Sequence, residues 1–190
     1  MPSAEYDLRY IQAGLSVLEN FLMSGDVYWP IGASAPAGHP PYPQLTLGGV
    51  LLALARAQAR VSDPEERARL ADMQEKLDDI RSRWRVAWGK KAGKEFGARL
   101  NLWRNFLEDY RNDRENNSDR YNYEVRRRVQ LQLLAPDVED VSEAQMELLN
   151  GLDRLLQAML APSEFIWEEA LKPSFPQDPF WYLYGVLPDK

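Results

Sequence analysis

Apolar residues recur three and four positions apart along most of this chain, and a 3.6-residue helical repeat is what gathers such positions onto one face. The series Leu8, Ile11, Leu15, Leu18, Leu22 marks a first helix, with Ser3 as its N-cap and Gly25 as its C-terminal stop. Leu47, Val50, Leu54, Ala57 and Val61 mark a second, capped by Thr46; Leu51 and Leu52 make it apolar on most sides, which places it centrally. A third series runs Leu70, Met73, Leu77, Ile80, Trp84, Ala87. It follows Asp63 as cap, Pro64 at the first helical position and Glu66 in a capping-box-like pattern. The fourth, Phe96, Leu100, Trp103, Leu107, Tyr110, is out of phase with the third. Gly89-Lys90-Lys91-Ala92-Gly93 between them predicts a tight turn joining antiparallel helices; one long helix with a stutter is the alternative.

Tyr121, Val125, Val129 and Leu133 recur every four residues and predict a helix, although parts of 121–134 also alternate as a strand does. A last helix starts at a Ser-x-x-Gln box, Ser142 and Gln145. It carries Val141, Gln145, Leu148, Leu152, Leu155 and Met159 on one side and ends before Pro162. Two segments depart from the pattern. Residues 26–44 combine five prolines with Tyr28, Trp29 and Tyr42, and residues 172–190 combine Pro173, Pro176 and Pro179 with the run Phe180 to Tyr184. A short helix is expected near Glu164–Leu171. Exposed aromatics are costly, so the long loop and the tail are expected to strap across the helices. The resulting expectation is one all-α domain over residues 1–190, an up-and-down bundle of about five main helices with the loop and tail packed on it.

Composition narrows the chemistry. With 190 residues the chain has interior enough to fold without staples, and with no cysteine it forms no disulfide and offers no thiol nucleophile or thiolate–zinc site. The longest apolar stretch, Leu45 to Ala59, is short for a bilayer and is broken by Arg56, so a cytoplasmic protein without a membrane partner is expected. The net charge of −6 disfavours general nucleic-acid binding. It is unevenly spread: residues 81–104 hold eight basic side chains against one acidic, and residues 135–190 hold three against eleven.

Five cations are candidate anion or nucleic-acid contacts: Arg85, Lys90, Lys91 and Lys94 around the expected turn, and Arg128 at the edge of the 121–133 stripe. Arg128 is also placed to pair with a carboxylate. Asp79–Arg83, Glu95–Arg99 and Arg104–Glu108 have the spacing of ordinary surface pairs, as do Asp72–Lys76 and Asp78–Arg81. His39, the single histidine, is a weak candidate base that requires an orienting carboxylate. Glu75 and Asp78, with Glu143 and Glu147 as facing partners, are the acidic set a metal-dependent hydrolase would require. No phosphate loop, nucleophile elbow or His-Glu-x-x-His pattern is present, and no cofactor is implied. Aromatics outside the helical series, namely Trp29, Tyr42, Trp167, Trp181, Tyr182 and Tyr184, have the composition of interface residues. The first functional expectation is therefore a non-enzymatic module that binds a protein partner or itself. Polyanion binding through residues 85–94 comes second, and a small metal-dependent hydrolase third.

Overall fold

The computed structural model describes residues 3–138 and 141–189. The protein is all-α, with helices α1 (Ala4–Met23), α2 (Leu47–Arg60), α3 (Pro64–Arg83), α4 (Arg85–Asn112), α5 (Tyr121–Glu124), α6 (Arg126–Leu134), α7 (Glu143–Met159) and α8 (Gln177–Phe180). A pair of two-residue strands, β1 (Ala161–Pro162) and β2 (Gly185–Val186), pairs antiparallel. No helix among the described residues is long and apolar enough to cross a membrane.

Side chains close the helix starts where the sequence places them. Ser3 Oγ accepts from Tyr6 N at 3.2 Å, Thr46 Oγ1 from Gly49 N at 3.0 Å, and Asp63 Oδ1 from Glu65 N and Glu66 N at 2.8 and 3.1 Å. Ser142 and Gln145 form a reciprocal capping box. The end of α1 differs from expectation. Gly25 does not take a left-handed conformation; Ser24 ends the helix in extended backbone, and a lysine from α4 takes up the carbonyls beyond it.

Asp7 at the start of α1 pairs with Arg56 and Arg60 at the end of α2, while Gly14 lies against Val50, so these two helices run antiparallel. Arg69 bonds Gln12 and Arg83 bonds Glu19, so α3 runs alongside α1 in the same direction. The expected turn at 89–93 is absent. Gly89 and Gly93 lie inside α4, and the break falls five residues earlier at Trp84, whose φ of −106° and ψ of 27° leave the helical region. Trp84 N still bonds Ile80 O at 2.9 Å and Trp88 N bonds Trp84 O at 2.8 Å. The chain bends there without reversing. Gly97 has its own role: a Cβ there would come within 3.0 Å of Gln145 Nε2, so its absence admits the first turn of α7.

The buried residues form one cluster drawn from α1, α2, α3, α4, α6, α7 and the tail. Trp103, Phe96, Tyr110 and Leu107 are wholly inside; Trp84, expected in the core, is half-buried at the bend. Residues 121–134 are helical, divided at Val125. On α7 the buried line is Leu149, Leu152 and Leu156, one position on from Leu148 and Leu155. The helix expected near Glu164–Leu171 is a 3-10 turn at Glu169–Ser174, containing Pro173. The tail straps across the helices as composition suggests: Tyr121 Oη bonds Tyr182 O at 2.6 Å, Tyr110 Oη bonds Pro188 O at 2.7 Å, and Trp167 Nε1 bonds Asn122 O at 3.0 Å. In the long loop, Trp29 and Leu45 exchange backbone hydrogen bonds at 3.0 and 2.7 Å.

Candidate binding cleft and basic groove

A cleft of about 880 Å³ opens between the proline-rich loop, the start of α2, the middle of α4 and the α5–α6 segment. Its floor is a buried polar network. Arg99 donates from Nε to Glu95 Oε1 at 2.6 Å, from Nη2 to Thr46 Oγ1 at 2.8 Å, and from Nη1 to Gln130 Oε1. Glu95 accepts Gly48 N on both oxygens, at 3.0 and 3.2 Å. A Cβ at Gly48 would lie 2.7 Å from Glu95 Oε1, and one at Gly49 would lie 2.8 Å from Tyr10 Oη. The two glycines therefore let a carboxylate and a phenol reach the amino end of α2, where the helix dipole favours negative charge. This corrects the surface reading of the Glu95–Arg99 pair: Glu95 is 1 % exposed and Arg99 8 %.

Four arginines line the cleft, and three have an acid of their own. Arg56 holds Asp7, Arg99 holds Glu95, and Arg127 holds Glu124 while donating to Leu102 O at 3.3 Å. Burial pushes the Asp7 carboxyl above its ordinary range, and Arg56 opposes that rise. Arg126 is different. It is half-buried, its guanidinium stands 3.5 Å from the centre of the Tyr123 ring, and it donates to the Tyr123 hydroxyl; no carboxylate among the described residues pairs with it. Burial lowers its pKa below the usual arginine value. Tyr6, Tyr10, Tyr28 and Trp167 complete the aromatic walls. The Tyr10 hydroxyl is driven well above its ordinary pKa, by burial first and by the Glu95 charge second.

His39 is half-buried in the loop and stacks on Tyr6 with ring centroids 5.5 Å apart. Its Nδ1 lies 3.4 Å from Ala37 O, and no orienting carboxylate among the described residues reaches it. The acidic residues of α3 face solvent. Asp79 pairs with Arg83, as expected, whereas Arg81 reaches Asp137 rather than Asp78, and Asp72 makes no pair with Lys76. Among the described residues no group of three His, Cys, Asp or Glu side chains is placed to hold a metal ion, so Glu75, Asp78, Glu143 and Glu147 do not converge.

The bend at Trp84 builds a second concavity, a groove of about 680 Å³ against the end of α1. It gathers four of the five predicted cations. Arg85 and Lys90 are exposed and have no anionic partner among the described residues, and Lys94 Nζ lies 3.4 Å from Gly25 O. Lys91 lines the groove from beneath, but it is buried and no longer free for an incoming anion. Its Nζ donates to Ser24 O, Ser24 Oγ and Asp26 O at 2.8, 3.1 and 2.6 Å, which uses all three protons. Arg128 lies elsewhere and is also committed, as a two-bonded partner of Asp153 on α7. The six predicted interface aromatics pack within the molecule: Trp167 and Tyr182 are buried, and Trp29, Tyr42, Trp181 and Tyr184 are half-buried against the core.

Arg126 and the network beneath it are not legible in the sequence, because three consecutive arginines point about 100° apart on a helix and nothing local says which of them meets a carboxylate. One local signal was available. Two glycines in the first turn after the Thr46 cap weaken the helix, and such a weakness marks a close approach. No family model, curated protein or solved structure matches the chain.

Proposed function

We propose that this protein is a non-enzymatic binding module whose ligand site is the tyrosine–arginine cleft. The ligand is a small molecule carrying an anionic group on a planar, apolar body. The observation that carries the reading is Arg126, a half-buried guanidinium at the cleft wall with no carboxylate of its own among the described residues. A cation partly withdrawn from water without an ion-pair partner is costly, and an arriving anion offsets that cost. The planar fork of arginine matches a carboxylate or a phosphate. Tyr6, Tyr123 and Trp167 make part of the lining aromatic, and a volume of about 880 Å³ falls within the roughly 300–1,000 Å³ of small-molecule sites. Recognition is favoured over turnover because the floor arginine is held by Glu95 and His39 lacks an orienting acid.

Calorimetry and thermal melting with phenyl phosphate, benzoate and benzyl alcohol test this. At least one of the two anions is expected to bind and raise Tm, with the preferred one reporting the anion class, while the neutral alcohol does neither. Arg126→Gln is expected to weaken the anion roughly thirtyfold, the equivalent of about 2 kcal/mol for a lost charge-assisted contact. Failure of both anions to bind, or binding unchanged in R126Q, refutes the proposal.

A further inference from the structure

The groove at the α3–α4 bend is a separate surface with a one-signed lining. Five cations border it, Arg83, Arg85, Lys90, Lys91 and Lys94, and no acidic side chain among the described residues does. Arg83 is engaged at its outer edge by Glu19 and Asp79, which leaves Arg85, Lys90 and Lys94 without an acidic partner among the described residues. The rest of the lining is mainly apolar: Leu22, Met23, Trp84, Val86 and Ala87. Met23 and Val86 are 61 % and 55 % exposed, among the most exposed large apolar side chains described. Val86, Lys90 and Lys94 succeed one another every fourth residue, so apolar and cationic side chains share one ridge of α4. Beneath them, Lys91 Nζ donates to the carbonyls of Ser24 and Asp26 just past the end of α1.

We infer that this groove docks an acidic segment of a partner protein, one that sets carboxylates on either side of an apolar side chain. The unpaired cations select for negative charge, and the exposed Met23 and Val86 select for an apolar anchor between the charges. A single-stranded nucleic acid fits the surface less well. Such binders stack successive bases on several open aromatic faces, whereas Trp84, half-buried, is the one aromatic lining this groove.

Fluorescence anisotropy with a labelled synthetic peptide of alternating Glu and Leu tests the inference, with a Glu/Ser peptide and an oligothymidylate of similar length as controls. The Glu/Leu peptide is expected to bind more tightly than either control and to weaken with added salt. Both substituted positions are exposed, so the double variant Arg85→Glu, Lys90→Glu should keep wild-type circular dichroism. It is expected to lose roughly tenfold or more in affinity, in line with two reversed surface charges. Val86→Ser is expected to narrow the gap between the Glu/Leu and Glu/Ser peptides. Three outcomes overturn the inference: Glu/Leu binding that is absent or indifferent to charge reversal, tighter binding of oligothymidylate than of the peptide, or a homodimer that dissociates on charge reversal, which would make the occupant a second copy. Because the cleft and the groove share no residue, R126Q leaves this experiment unchanged.

Discussion

Arg128 on α6 and Asp153 on α7 meet edge to edge, Nε to Oδ1 and Nη2 to Oδ2, both at 2.8 Å. The arginine lies 4.7 Å from the centre of the buried Tyr182 ring, so this fork joins two helices to the C-terminal tail. Neither side chain is open to solvent, at 7 % and 19 % exposure. A pair in such a place adds little net stability over an apolar pair of the same shape, yet breaking it strands a charge.

Asp153→Ala is therefore expected to destabilise the fold by about 3 kcal/mol, whereas the double replacement Arg128→Met, Asp153→Leu recovers most of the loss. Urea unfolding followed by circular dichroism measures both. A single variant as stable as wild type would show that the pair is not desolvated in solution.

Gly48→Ala places a methyl 2.7 Å from Glu95 Oε1 and 3.2 Å from both Arg99 Nε and Leu134 Cδ1, so the floor of the cleft must move. The expected cost is about 2 kcal/mol, with weakened binding of phenyl phosphate or benzoate as a second readout. Gly25→Ala is the control. A Cβ there has no neighbour within 4 Å and the backbone φ is not positive, so its effect is expected to stay within about 0.5 kcal/mol of neutral.

Alkaline pH is expected to unfold the protein through its tyrosines. Burial raises the hydroxyls of Tyr10, Tyr121 and Tyr182 far above the ordinary value of 10.0. Below that value both states keep these protons and stability does not depend on them. Above it the unfolded chain releases protons that the fold retains, so stability falls as pH rises, by about 1.4 kcal/mol per pH unit for each such tyrosine. Phenolate absorbance and helical circular dichroism recorded together should change in one cooperative step for these residues. Their ionisation well before helicity is lost would contradict the burial of all three.

Much of the fold was legible in the pattern of side chains. The caps Ser3, Thr46, Asp63 and Ser142 act within three residues of themselves, so local sequence is enough to locate them. The buried series of α1 and of α4 beyond Phe96 follow from periodicity for the same reason. The α3–α4 connection was misread because glycine and lysine at 89–93 carry turn chemistry in isolation. Within the fold, Gly89 and Lys91 are enclosed between helices, and packing outweighs a local preference of about 1 kcal/mol per glycine. The candidate sites were legible only in part. Arg85, Lys90, Lys91 and Lys94 stand out in the sequence as a charge cluster, whereas nothing local distinguishes Arg126 from its neighbours Arg127 and Arg128.

What the sequence determined alone is the helical class, the sites at which most helices begin and the inward-facing side chains, because hydrogen bonds and apolar periodicity act over one or two turns. The partners of the charges were decided only when distant segments met. Lys91 found carbonyls 65 and 67 positions away, Arg99 found Thr46 at a distance of 53, and Arg128 found Asp153 at 25. A side chain's identity sets the charge it brings, but its desolvation and its counter-charge depend on which helix packs over it, and that is a property of the assembled core.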